Sequence, residues 1–274
     1  MEYWNHIYEH FDPVALNLGF INVHWYGIMY VLALVTALWF AKWINTYDKI
    51  NVPENIIDNY FIWVEIGVIL GARLGFVLFY DPSYYYISHP LAIFSPFDEV
   101  GNFTGIRGMS YHGAVVGALI ATVLYGLKNR QYVYKLLDIS ALGIPVGYVF
   151  GRIGNFLNQE LVGNTTTVSW GIYVDGVLRH PSQLYEAFLE GIVIAVILFL
   201  IRNKKPFDGS LIAIYGMLYG AMRFIVEFYR MPDIQLGIVY WGMSMGQIMS
   251  LFMIGLFGVL FFTLKRFSRK VSNA

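Results

Sequence analysis

Three stretches of this chain place groups able to do chemistry inside otherwise apolar sequence. The first, YGMLYGAMRFIVEFYR, sets Tyr219, Arg223 and Glu227 four residues apart, on one stripe of a helix. A guanidinium is a planar fork of donors that matches phosphate oxygens, and a carboxylate one turn away can orient it. The same spacing also lets Arg223 and Glu227 simply neutralise each other and tie the helix to its neighbours. The second stretch, GRIGNFLNQELVG over residues 151–163, sets Arg152, Asn155, Asn158, Gln159 and Glu160 among Gly151, Gly154 and Gly163. It is too polar for lipid and too apolar for an ordinary loop. Read functionally, it is an anion-binding wall with Arg152 on a phosphate and amides adding hydrogen bonds; read structurally, it is a Gly/Asn turn closing a helix. The third, MSYHGAVVGALIA, puts His112 before Gly113 and a run of small residues. His112 is either a capping group or a general base, its side chain having the pKa nearest neutrality.

Other polar groups read as structural. Arg73 in GARLGF is an interhelical tie, Asp138 pairs or caps, and RHPSQLYE supplies a Pro turn, a Ser182 N-cap and an acid at the start of a helix. Tyr26 in HWYGIMY fits an interfacial aromatic belt. With no cysteine, a thiolate metal site or a cysteine nucleophile in this chain is excluded, so any thiol must arrive on a substrate. No zinc-binding, phosphate-loop or nucleophile-elbow pattern is present, so neither a metal nor another cofactor is indicated. The net charge of zero and the absence of a basic run exclude nucleic acid as a partner.

The elements that must position these groups are membrane helices. The 274 residues are 57% hydrophobic and 13% charged, with 21 Tyr, 21 Phe and 7 Trp, far from a soluble composition. A charge at mid-bilayer costs roughly 2.5 to 3.5 kcal/mol on insertion scales, so each buried one needs a partner or a task. Apolar runs near the roughly 20 residues that a bilayer requires predict an all-α polytopic protein of seven spans. They cover about Phe20 to Trp43, Ile56 to Tyr80, Tyr111 to Leu127, Leu136 to Phe150, Leu184 to Ile201, Ser210 to Phe228 and Tyr240 to Leu264. Of 18 positive residues, 12 follow the first, third, fifth and seventh spans, which puts the N-terminus outside and the C-terminus in the cytoplasm. The outward connections carry only Arg107, Arg179 and Arg230. The whole of residues 1–274 is expected to form a single transmembrane domain, with loops 81–110 and 151–183 forming a small extracytoplasmic head. TTTVSWGIYVDGVL predicts short strands about an Asp175-Gly176 turn.

In their order along the chain, HWYGIMY, GARLGFVLFY, RGMSYHGA, GRIGNFLNQELVG, HPSQLYE and YGAMRFIVEFYRMPD resemble the bacterial prolipoprotein diacylglyceryl transferases over essentially the whole length. The resemblance implies transfer of a diacylglyceryl group from phosphatidylglycerol to the lipobox cysteine thiol of a prolipoprotein signal peptide. Glycerol 1-phosphate is released, and the site faces the outer leaflet of the bacterial cytoplasmic membrane. It also implies lipid-binding roles for Arg152, Asn155, Gly163 and Arg223. Catalytic roles are implied for His112, Arg223, Tyr26, Glu160, Tyr219 and Glu227. In that family a second glycine usually follows the glycine after the histidine; here Ala114 takes its place.

Overall fold

The computed structural model describes residues 1–19, 22–81, 85–97, 101, 105, 108–231, 238–240 and 242–272. Phe20, Arg107, parts of the 81–110 loop and the end of the YGAMRFIVEFYRMPD motif lie outside the described residues. The chain is mainly helical. The long helices are α1 (Trp25–Tyr47), α2 (Glu54–Phe79), α3 (Tyr111–Lys128), α4 (Val133–Leu157), α5 (Ser182–Lys204), α6 (Ser210–Val226) and α7 (Met245–Ser272). Six of them are long and apolar enough to cross a membrane, and α6, at 17 residues, is a shorter apolar helix. Three two-stranded antiparallel pairs accompany them: β1 (Val14–Asn17) with β2 (Asn22–His24), β3 (Ile172–Val174) with β4 (Val177–Arg179), and β5 (Ile238–Tyr240) with β6 (Met243–Ser244). The β3–β4 hairpin turns at Asp175 and Gly176, both at positive φ, where the Asp-Gly pair predicts it.

Two compact units divide the chain, residues 52–136 forming one and residues 1–51 with 137–274 the other. In the smaller unit α2 and α3 run antiparallel with their backbones nearly touching. A Cβ added at Gly71 would lie 2.3 Å from the Gly113 carbonyl oxygen, and one at Gly117 would lie 1.9 Å from that of Gly67. Only glycine permits that approach, so Gly113 is the residue this crossing requires, and Ala114 enters the helix with its N–H bonded to the Ser110 carbonyl. Arg73 is buried as a tie: it donates to the Ile93 carbonyl and, at 3.1 Å, to the Gly108 carbonyl, with Tyr86 stacked 4.5 Å from its guanidinium.

In the larger unit the core joins α1, α4, α5 and α6 through Ile44, Ala141, Leu142, Ile194, Leu198 and Leu211. Small residues again set the spacing, since a Cβ at Gly147 would lie 2.6 Å from the Ala33 carbonyl oxygen and one at Gly191 2.6 Å from Val149 Cγ2. Asp138 both pairs and caps: it accepts a hydrogen bond from the Lys205 ammonium at 2.7 Å and from the backbone N–H of Gly209 at 2.9 Å and Leu211 at 2.8 Å, anchoring the N-terminus of α6. Burial opposes the charge on Lys205, and its pairing with Asp138 and Asp208 outweighs that, raising its pKa above the usual lysine value.

Several expectations about helix ends change: α1 begins at Trp25 rather than Phe20, with Asn22–His24 in β2, and α7 begins at Met245 rather than Tyr240, which lies in β5. The fourth span runs to Leu157, seven residues past Phe150, because Gly151 and Gly154 stay helical, Gly154 where α4 meets Met29 and Tyr26 of α1. Positive φ falls instead at Gln159 and Leu161. Ser182 is not the N-cap of α5; its hydroxyl donates to the Leu161 carbonyl at 3.1 Å, and Pro181 holds the cap position.

Candidate active site

Four positions on α4 and α5 converge in the larger unit. Tyr148 and Arg152 lie one turn apart on α4, and Glu186 and Glu190 lie four residues apart on α5, where a π-helical turn from Ala187 to Val193 interrupts the α-helix. Such turns insert one residue into the helix and re-aim its side chains. From α6 and the turn beyond it come Tyr219, Arg223, Glu227 and Arg230. The centre is Glu186, whose side chain is fully buried: its Oε2 lies 2.7 Å from Arg152 Nε and 3.7 Å from Arg223 Nη1, and its Oε1 is 2.5 Å from Arg230 Nη1. Arg223 also reaches Glu227 Oε2 at 2.9 Å and Glu190 Oε1 at 3.9 Å. Glu227 is steadied from α7's side by the Ser244 hydroxyl, which donates to Oε1 at 3.0 Å.

The arginines are thus partnered by acids, and the Arg223–Glu227 pair expected from their spacing is present. The pairing is lopsided, however. The side chains of Arg152, Arg223 and Arg230 remain 17, 19 and 14% exposed, whereas those of Glu186 and Glu190 are 0% and that of Glu227 7%. Arg230 Nη1 donates a directed hydrogen bond to Glu186 Oε1, but Glu186 Oε2, Glu190 Oε1 and Glu227 Oε2 are buried without an aligned hydrogen bond, so charge proximity rather than directed bonding holds the Arg152 and Arg223 pairs. Among the described residues Arg223 makes no aligned hydrogen bond, and Arg152 uses only Nε, to the Tyr148 hydroxyl at 2.7 Å, and Nη1, to Asn155 Oδ1 at 3.2 Å. A guanidinium has five N–H donors, so most of this set is unspent. The acids form the buried floor of the cluster, and the guanidiniums are its more exposed part.

A second layer of contacts extends from Asn155, whose Nδ2 donates to Glu160 Oε1 at 2.7 Å. The Glu160 carbonyl accepts from Gln183 Nε2 at 2.5 Å, and Gln159 donates to the carbonyls of Tyr8 and Phe11, each at 3.1 Å. The N-terminal segment is held over this corner, with Trp4 donating to the Trp170 carbonyl at 2.8 Å and Asn5 to that of Ser169 at 2.9 Å. Burial pushes the Tyr8 phenol above the usual tyrosine value, against a hydrogen bond from Gln183, so it stays a neutral hydroxyl. Gly163 is packed on both sides by backbone: a Cβ there would lie 2.5 Å from the Tyr229 carbonyl oxygen and 2.6 Å from that of His180. Packing alone therefore demands glycine at this position.

The structure brings together Arg152, Asn155, Glu160, Tyr219, Arg223 and Glu227. Tyr26 adjoins them through Gly154, 3.4 Å from where a Cβ would stand. His112 belongs to the smaller unit, exposed on the first turn of α3 with its ring edge-on to Tyr111 at 6.0 Å. Sequence reasoning missed Tyr148, Glu186, Glu190 and Arg230. Glu186 was read as an acid at a helix start and Arg230 as a charge of an outward connection; the first lies at the centre of the ion cluster and the second closes one side of it.

Residues 13–263 match the family model described as prolipoprotein diacylglyceryl transferase. Similar proteins named phosphatidylglycerol–prolipoprotein diacylglyceryl transferase occur in Campylobacter lari, 58% identical over 94% of this chain and 96% of that one, and in Campylobacter jejuni serotype O:6, 58% identical over 92% and 93%. The Campylobacter hominis protein of the same name is 57% identical over 93% of this chain and 91% of its own. The matched stretch contains every residue of the arginine–glutamate cluster, and with agreement of that extent the chain belongs to the prolipoprotein diacylglyceryl transferase family.

Proposed function

We propose that this protein transfers the diacylglyceryl group of phosphatidylglycerol to the thiol of the lipobox cysteine of a prolipoprotein, the first step of lipoprotein maturation. The sulfur attacks an sp³ glycerol carbon and forms a thioether. The carbon–oxygen bond to phosphate breaks, glycerol 1-phosphate leaves with the electron pair, and the thiol proton passes to a base. The observation that carries this reading is the lopsided ion cluster, in which buried acids hold Arg152 and Arg223 by charge while leaving guanidinium donors unspent. Two such forks can bind a phosphodiester and stabilise the charge that grows as sulfur displaces it.

The roles follow from chemistry. Arg152 and Asn155 bind the phosphate, with Glu160 fixing the Asn155 amide; Arg223, oriented by Glu227, neutralises the leaving group. Tyr219 and Tyr26 border the reacting atoms, and Gly163 keeps the 158–163 turn tight enough for Glu160 to reach Asn155. His112 serves as the base, because a thiol of pKa about 8.5 is mostly protonated at neutral pH and imidazole is the group suited to take its proton. We assign seven spans, α6 being the short one, with the N-terminus outside and the C-terminus in the bacterial cytoplasm. Helix α6, at about 1.5 Å per residue, is roughly 25 Å long and nearly spans the hydrocarbon layer. The site then opens toward the outer leaflet, and both diacyl substrate and lipidated product pass sideways through the lipid plane.

Incubating the purified protein with phosphatidylglycerol and a lipobox peptide should yield a peptide heavier by one diacylglyceryl group, resistant to thioester cleavage, with stoichiometric glycerol 1-phosphate. Lipid crossing the bilayer with the peptide unmodified would instead identify a lipid transporter.

A further inference from the structure

Tyr148 is bonded to Arg152 and linked through Glu190 to Arg223, yet no step of the transfer itself uses its hydroxyl. Its hydroxyl accepts from Arg152 Nε at 2.7 Å and donates to Glu190 Oε2. Nε carries one hydrogen, and although Glu186 Oε2 also lies 2.7 Å away, it receives no aligned hydrogen bond; that hydrogen goes to Tyr148. The Arg152 guanidinium lies 4.8 Å from the Tyr148 ring centroid, so the ring backs the cation while the hydroxyl fixes its rotation. Through Glu190, whose other oxygen is 3.9 Å from Arg223 Nη1, the same hydroxyl is linked to the second arginine. The Tyr148 ring also meets that of Tyr219 edge-on at 5.8 Å.

We propose that Tyr148 is a positioning residue: its hydroxyl, placed between a cation that donates and a carboxylate that accepts, sets the rotation at which the Arg152 Nη hydrogens face the lipid phosphate. A fork binds two oxygens only when its plane is aligned with them, and the floor of acids attracts Arg152 without setting that plane, since the pairing is by proximity. Phenylalanine keeps the ring and the volume of Tyr148 but can neither accept nor donate. This role rests on the assignment of Arg152 to the lipid phosphate.

The test compares the full-length wild type, Tyr148→Phe, Arg152→Lys and the double variant in nanodiscs. Transfer to a lipobox peptide is measured against phosphatidylglycerol content, and equilibrium binding of phosphatidylglycerol is measured in zwitterionic detergent. Tyr148→Phe is expected to raise KM for the lipid and weaken its binding about tenfold, the usual scale for a lost hydrogen bond to a charged group, with kcat and the peptide KM little changed. In the Arg152→Lys background the same substitution should add almost nothing, because a point charge has no plane to set. An equal penalty in both backgrounds, or a loss in kcat and unfolding midpoint with lipid affinity intact, would overturn the positioning role and leave it structural. Lipid binding that depended on Tyr148 as described, in a protein forming no thioether, would support the positioning role and overturn the assigned reaction.

Discussion

Asp138 and Glu186 are both buried carboxylates facing cations from other segments of the larger unit, about 20 Å apart as measured along α4 from Asp138 to Arg152, and they are used in opposite ways. Asp138 meets Lys205 and two backbone N–H groups at 2.7 to 2.9 Å, so each of its oxygens has an aligned donor. Glu186 is approached by three arginines, yet its Oε2 has no aligned donor, and neither do Glu190 Oε1 and Glu227 Oε2 nearby. A closed polar cluster fixes helices and has nothing left to offer. The incomplete one leaves guanidinium donors unspent, and those are the donors the proposed phosphate would use.

Substitutions at the two sites should therefore fail differently. Arg152→Lys or Arg223→Lys preserves charge and loses the fork, and transfer should drop by about 100- to 1000-fold in a peptide-lipidation assay while the unfolding midpoint barely moves. An unfolding loss as large as the activity loss would erase the distinction between the clusters. His112→Gln sharpens it by separating binding from proton transfer: turnover should fall at least about 100-fold with phosphatidylglycerol affinity retained. Wild-type turnover in that variant would remove His112 from the mechanism.

Asp138→Asn should behave in the reverse sense. One partnered charge and part of a helix cap are lost, and stability read by thermal unfolding should fall by about 2 kcal/mol, with specific activity per folded molecule unchanged. Tyr26→Phe should cost less than about tenfold in turnover, since the residue borders the arginine set without belonging to it. The smallest effect is the pH response of the closed cluster. A lysine whose folded pKa is raised contributes stability that is complete below its ordinary unfolded value and is lost as pH rises through the raised one. Wild type and Lys205→Met should accordingly converge in stability as the solution passes above the lysine range, and a gap that widens there would contradict the pairing.

Much of this was legible in the residues. The apolar runs located the helices, and the spacing of Tyr219, Arg223 and Glu227 foretold the Arg223–Glu227 pair, because i to i+4 periodicity on a helix is a rigid relation. The end of α4 was misjudged at Phe150 because Gly151 and Gly154 resemble a helix stop; in the structure Gly154 is instead where α1 packs, and only a partner helix reveals that. Glu186 and Glu190, four apart in an apolar segment, carried a readable signal, since two acids inside a span need cations; the Pro turn before them made a helix-start role for Glu186 look sufficient. Tyr148 carried none, being one of 21 tyrosines distinguished only by what folding sets beside it. Arg230 reaches Glu186 from the tight turns that follow Val226, a tertiary contact with no local mark.

The central claim is that the unspent guanidinium donors hold a lipid phosphate. It is tested most directly by phosphorus–nitrogen dipolar recoupling in bilayers dilute in phosphatidylglycerol, with arginine side chains labelled by nitrogen-15. The wild type should show guanidinium nitrogens within hydrogen-bonding range of phosphorus, and that signal should vanish in the Arg152→Lys, Arg223→Lys double variant. An identical signal in both proteins, or none in either at saturating lipid, would contradict the account.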